Sequence, residues 1–144
     1  MFTARAALLL ACAGAFTLAG CSKTAASSTT APSVTPADAT IIENFASPLA
    51  VGGGVFYSFS IAQYGNVAVT LTDIIGSNLP DALTLSVGVG RPSGTSCTAT
   101  SVSAVPGSSP QVTGAYGPGV FCVRIYDGGT LVGPVTIKAT VAHS

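Results

Sequence analysis

The chain has 144 residues, five basic and five acidic side chains, and no net formal charge. Only 7% of its residues are charged, against about 25% in an ordinary soluble domain, so its polarity comes from Ser, Thr, Gly and Asn. Beyond Lys23 five acids (Asp38, Glu43, Asp73, Asp81 and Asp127) face three bases (Arg91, Arg124 and Lys138). That surplus of acid excludes nucleic acid as a partner, which needs a clustered basic surface.

The N-terminal stretch carries one charge, Arg5, ahead of an apolar run from Ala6 to Ala19, and small residues precede Cys21. This is the layout of a secretory signal. At about 14 residues the run is too short for a membrane-spanning helix, which needs about 20. Leu18-Ala19-Gly20-Cys21 resembles the lipobox of bacterial lipoproteins. The resemblance implies cleavage of residues 1–20 as a signal peptide, lipidation of the Cys21 thiol and acylation of the new amino terminus with a fatty acid such as palmitate. Two or three acyl chains make such an anchor effectively permanent, since each buried methylene is worth about 0.8 kcal/mol. In that family an Asp after the cysteine tends to hold the protein at the inner membrane; Ser22 stands there, which implies the outer membrane of the cell envelope. Cleavage without lipidation, releasing a secreted protein, is the competing reading. Cys12 leaves with the signal on either reading.

Residues 21–39 follow as a lipidated cysteine and a tether of Ser, Thr, Ala and Pro with almost nothing to bury. From Thr40 the pattern changes to short apolar runs broken by Gly, Pro, Asn and Asp about every ten residues, the signature of an antiparallel sandwich or barrel. Residues 40–144 therefore read as one domain of roughly 105 residues. The spacing predicts strands at Thr40–Ala46, Val55–Ile61, Asn66–Ile74, Ala82–Gly88, Ser96–Val105, Gln111–Ala115, Val120–Asp127 and Val135–Ala142. Eight strands suit an all-β, antiparallel β-sandwich of two packed sheets. Alternation is clearest in the second strand, where Val55, Tyr57, Phe59 and Ile61 share one face. The third continues it with Val67, Val69 and Leu71, and Gln63-Tyr64-Gly65-Asn66 supplies the turn between them.

The run Val55-Phe56-Tyr57-Ser58-Phe59-Ser60-Ile61, then Gly65 and Val67 to Leu71, together with Pro118 to Ile125 and Val135 to Val141, resembles the bacterial pre-peptidase C-terminal domain. Members are jelly-roll-like sandwiches without chemistry of their own, commonly appended to secreted enzymes. Two departures stand out. Gly52, Gly53 and Gly54 occupy the place where the family often carries acids, and no peptidase accompanies the domain.

Cys97 and Cys122 are the cysteines left once Cys12 is removed and Cys21 is acylated, and export puts them in an oxidising space, so they are expected to pair. In an antiparallel sandwich of eight strands the starts of the fifth and seventh lie at one end, which lets the two meet. For catalysis the sequence offers little: the lone His143 is next to last, where chains usually fray, and no nucleophile elbow or phosphate loop occurs. An enzyme is not expected, and a secreted hydrolase is the weakest alternative. Carbohydrate or cell-wall binding is the more serious one, with Tyr64, Tyr116 and Tyr126 as candidate stacking rings. Strand parity gathers Asp73, Asp81 and Asp127 at the end away from the tether, where three carboxylates could seed a Ca2+ site; the competing reading is that Asp is simply a good turn residue. The overall expectation is a lipid-anchored, non-catalytic binding or accessory module whose partner, an envelope protein or a glycan, the sequence does not name.

Overall fold

The structure, a computed structural model, describes residues 39–144. The expected signal segment 1–20, the expected lipidation site Cys21 and the expected tether as far as residue 38 lie outside the described residues.

Eight strands run in order: β1 (Ile41–Leu49), β2 (Gly54–Ile61), β3 (Gly65–Ile75), β4 (Leu85–Ser93), β5 (Ser96–Ala104), β6 (Val112–Tyr116), β7 (Gly119–Tyr126) and β8 (Val135–His143). They form two four-stranded sheets, β1-β8-β3-β6 and β2-β7-β4-β5, with every pairing antiparallel. The pairs β1 with β8, β2 with β7, β3 with β6 and β4 with β5 make the chain one long hairpin. Rolling that hairpin brings β8 against β3 and β7 against β4 as well. This is the jelly-roll form of the β-sandwich, in which two Greek keys share a core.

The core lies between the sheets and follows the period of two. Phe59 and Ile61 enter it from β2, Val67, Val69 and Leu71 from β3, Phe121, Val123 and Ile125 from β7, and Ile137, Ala139 and Val141 from β8. Two places depart from simple alternation. In β3 the register against β8 slips between Leu71 and Asp73, so Thr72 is an extra residue. The bulge turns Ile74 inward where unbroken alternation from Leu71 would expose it.

The other departure is in β4, which begins three residues later than the sequence indicates and runs on through Gly88, Gly90 and Pro92 to Ser93. The glycines are part of the strand because β5 does not lie flat beside it. A Cβ on Gly88 would fall inside the carbonyl oxygen of Thr100, and one on Gly90 inside that of Thr98. With no side chain at these two positions on the outer face of β4, β5 bends across it toward β7.

Candidate functional site

The bend of β5 places Cys97 over Cys122 of β7, with β4 between the two strands in the sheet order. Strands two apart in a flat sheet would be separated by about twice the 4.8 Å strand spacing. Here the Cα atoms are 6.0 Å apart and the sulfurs are bonded. The expected disulfide is present, and both half-cystines are buried. It ties the bent strand to β7, and two clefts lie beside β5, one lined by Thr95 to Ala99 and the other by Thr98 and Thr100.

One cleft, of about 430 Å³, is floored by Phe56 and Arg124 and walled by Thr95 to Ala99. Arg124 lies opposite Phe56 in the β2–β7 register, and its guanidinium covers the Tyr126 ring at 4.6 Å. The other cleft, of about 460 Å³, is lined by Val89, Gly90, Arg91, Thr98, Thr100, Tyr116 and Phe121. There the Arg91 guanidinium stacks on Phe121 at 4.9 Å, and Tyr116 meets Phe121 edge-on at 5.0 Å. The two ion pairs among the described residues use Lys138 and His143, so neither arginine has a carboxylate partner there.

Of the three candidate tyrosines, then, Tyr116 lines a cleft beside a cation. Tyr126 is half-buried beneath Arg124, and Tyr64 stands 70% exposed in the β2–β3 turn. Of the three candidate stacking rings, the structure places one beside a cleft with a cation and two elsewhere.

The three candidate Ca2+ ligands are not brought together, and no cluster of three His, Cys, Asp or Glu side chains suited to a metal occurs among the described residues. Asp73 pairs across the β3–β8 ladder with Lys138, 3.3 Å from its ammonium. Asp81 is exposed in the β3–β4 loop. Asp127 is buried, and its oxygens are committed to the backbone: Gly52 N–H donates to Oδ2 at 2.8 Å, and Gly129, Thr130 and Leu131 donate to Oδ1 at 2.8, 2.8 and 3.2 Å. The Gly52 bond, with those of Thr130, Gly129 and Leu131, overcomes desolvation and lowers the carboxyl from 3.8 to about 2. Gly52 itself has φ of 66°, a left-handed conformation that glycine adopts without strain. The correction is physical: Asp127 is turned into the fold to close two loops, with three N–H groups on Oδ1 and a fourth on Oδ2, and it is not gathered with Asp73 and Asp81 around a common point.

A second polar cluster was not legible in the sequence. His143 is 2% exposed, at the end of β8 and paired with Ile41, so the expectation of a frayed terminus fails. Its Nε2 lies 2.8 Å from Glu43 Oε1, its ring packs on Phe59, and its Nδ1 is buried without a hydrogen-bond partner among the described residues. The Tyr57 hydroxyl donates to the other Glu43 oxygen, while the Tyr57 ring stacks on Phe45 at 4.9 Å. The Tyr57 bond first, then the His143 bond, holds the Glu43 carboxyl below its usual range, and the same bond raises the Tyr57 hydroxyl above its own. Among the described residues the His143 ring is hydrogen-bonded to Glu43 and to no serine, threonine or cysteine. It joins the edge strands β1 and β2, one from each sheet. A signal for it existed only in the odd placement of Glu43 on the inward face of β1, between exposed Ile42 and half-buried Phe45.

No protein-family model matches the chain, and no curated protein matches it.

Proposed function

We propose that the protein is a lipid-anchored module of the bacterial cell envelope that binds or supports a partner and carries out no chemistry itself. The observation that carries this reading is the Leu18-Ala19-Gly20-Cys21 stretch at the end of a signal-like apolar run. A buried disulfide in the domain is in keeping with an oxidising compartment. The likeness to pre-peptidase C-terminal domains, which are appended modules, points the same way. Ser22 after the cysteine favours the outer membrane over the inner. The reading is tested by growth on labelled palmitate: wild type takes up label, Cys21→Ala takes up none, and label persisting in the variant overturns the anchor.

Glycan binding is the second reading, and a specific observation favours it. The cleft beside β5 sets the Tyr116 ring next to a guanidinium and two threonines, a combination of apolar face and hydrogen-bonding edge that suits a sugar ring.

A further inference from the structure

We infer that the cleft between Arg91 and Tyr116 binds a saccharide ring bearing a carboxylate, that is, a uronic-acid residue of an acidic glycan. The inference rests on the binding-module reading and names the class of its ligand. At about 460 Å³ the cleft falls within the roughly 300–1,000 Å³ of small-molecule sites. Its walls are the rings of Tyr116 and Phe121 and the side chain of Val89, and Thr98 and Thr100 border it from β5. A pyranose offers a matching surface, with axial C–H bonds for an aromatic ring and equatorial hydroxyls for threonine.

The cation decides the charge of the ligand. Arg91 is exposed, and among the described residues no carboxylate lies within ion-pair distance of it. Its guanidinium lies over Phe121, which occupies one face and leaves the in-plane N–H donors free. Those donors match the two oxygens of a carboxylate, a bidentate geometry that an ammonium does not provide. A simple inorganic anion would use the guanidinium and leave the apolar walls unused; a sugar acid uses both.

The cleft is also preorganised. Its β5 wall is held by the Cys97–Cys122 bond, and Tyr116 is fixed edge-on against Phe121, so little ordering is required on binding.

The test is calorimetric titration of the full chain in detergent micelles with trigalacturonate, and with its fully methyl-esterified, uncharged counterpart. Wild type is expected to bind the acid and to bind the ester roughly tenfold more weakly. Arg91→Gln should reduce binding of the acid by a similar factor with an unchanged melting temperature, and Arg91→Lys should restore part of it. Arg124→Gln serves as the control, since it removes an exposed, ring-stacked cation from the other cleft; its binding should equal wild type. Equal binding of acid and ester, or equal losses in the Arg91 and Arg124 variants, overturns the carboxylate inference while leaving glycan binding in place. No binding of either sugar overturns both, and the palmitate label at Cys21 then still decides the anchored-module reading separately.

Discussion

The edge strands of the sandwich are secured by different chemistry. On one flank β5 is bent over its own sheet and fixed to β7 by a covalent bond. On the other, β1 and β2 face each other across the two sheets and are joined through a carboxylate that accepts from Tyr57 and meets His143. The covalent closure responds to reductant and not to protons. The polar closure does the reverse, because each bond in it depends on the charge of Glu43. A small domain with few charged residues thus assigns its rigid cleft-bearing flank to a disulfide and leaves a half-exposed hydrogen-bond chain where β1 enters.

Breaking the covalent flank should have the largest effect. The bond spans 25 residues, and chain-entropy arithmetic gives about 3 kcal/mol for its removal. In a domain of this size that lowers the melting temperature by more than about 10 °C. Scanning calorimetry of Cys97→Ser, Cys122→Ser measures it, and a shift within a few degrees would mean that β5 is held by its ladder to β4 alone.

A second carboxylate sharpens the polar side of the comparison. Asp127 is lowered to about 2 in the folded protein. Its contribution is fully present above the ordinary carboxylate value near 4 and is lost as pH falls toward 2, about 2 kcal/mol in all. Urea unfolding of Asp127→Asn should show that loss at pH 7 and little difference from wild type at pH 2.

The Tyr57–Glu43–His143 chain should contribute least, because Glu43 is partly exposed. About 1 kcal/mol is expected from Glu43→Gln at neutral pH. The sign differs at the two limbs. Glu43 is lowered, so its contribution is lost as pH falls below its ordinary value of 4.5; Tyr57 is raised, so its contribution is lost as pH climbs above 10. Glu43→Gln should therefore flatten both limbs of the stability profile, and a variant that flattens only the acid limb would show that Tyr57 does not depend on this carboxylate.

The sequence was legible where one residue's fate depended on its neighbours. Alternation located β2 and β3, and elimination among four cysteines paired Cys97 with Cys122. It failed where position is set by a distant strand. The predicted fourth strand stopped at Gly88 because glycine usually ends a strand, yet here Gly88 and Gly90 both lie within it and admit the backbone of β5. Thr72 is one ordinary threonine among others, and nothing local marks it as the extra residue of a bulge. Glu43 and His143 are 100 residues apart, and Arg91 meets Phe121 only through the β4–β7 ladder. The acids misled for the opposite reason: Asp is common at strand ends on local grounds, and proximity along a sandwich end does not aim carboxylates at one point.

The pairing of β1 with β8 has a consequence for how the domain comes into being. β8 lies between β1 and β3, so β1 has no partner until residues 135–143 arrive, and β2, β3 and β4 likewise pair with nothing earlier in the chain. Contacts between such remote segments make closure slow, because loop entropy is lost before any contact offsets it. On the anchored-module reading proposed above, a chain threaded through a membrane from its N-terminus would present Cys21 for acylation while its first half was still unpaired. Anchoring would then precede folding, and the tether would hold an open chain near the bilayer until its last strand crossed.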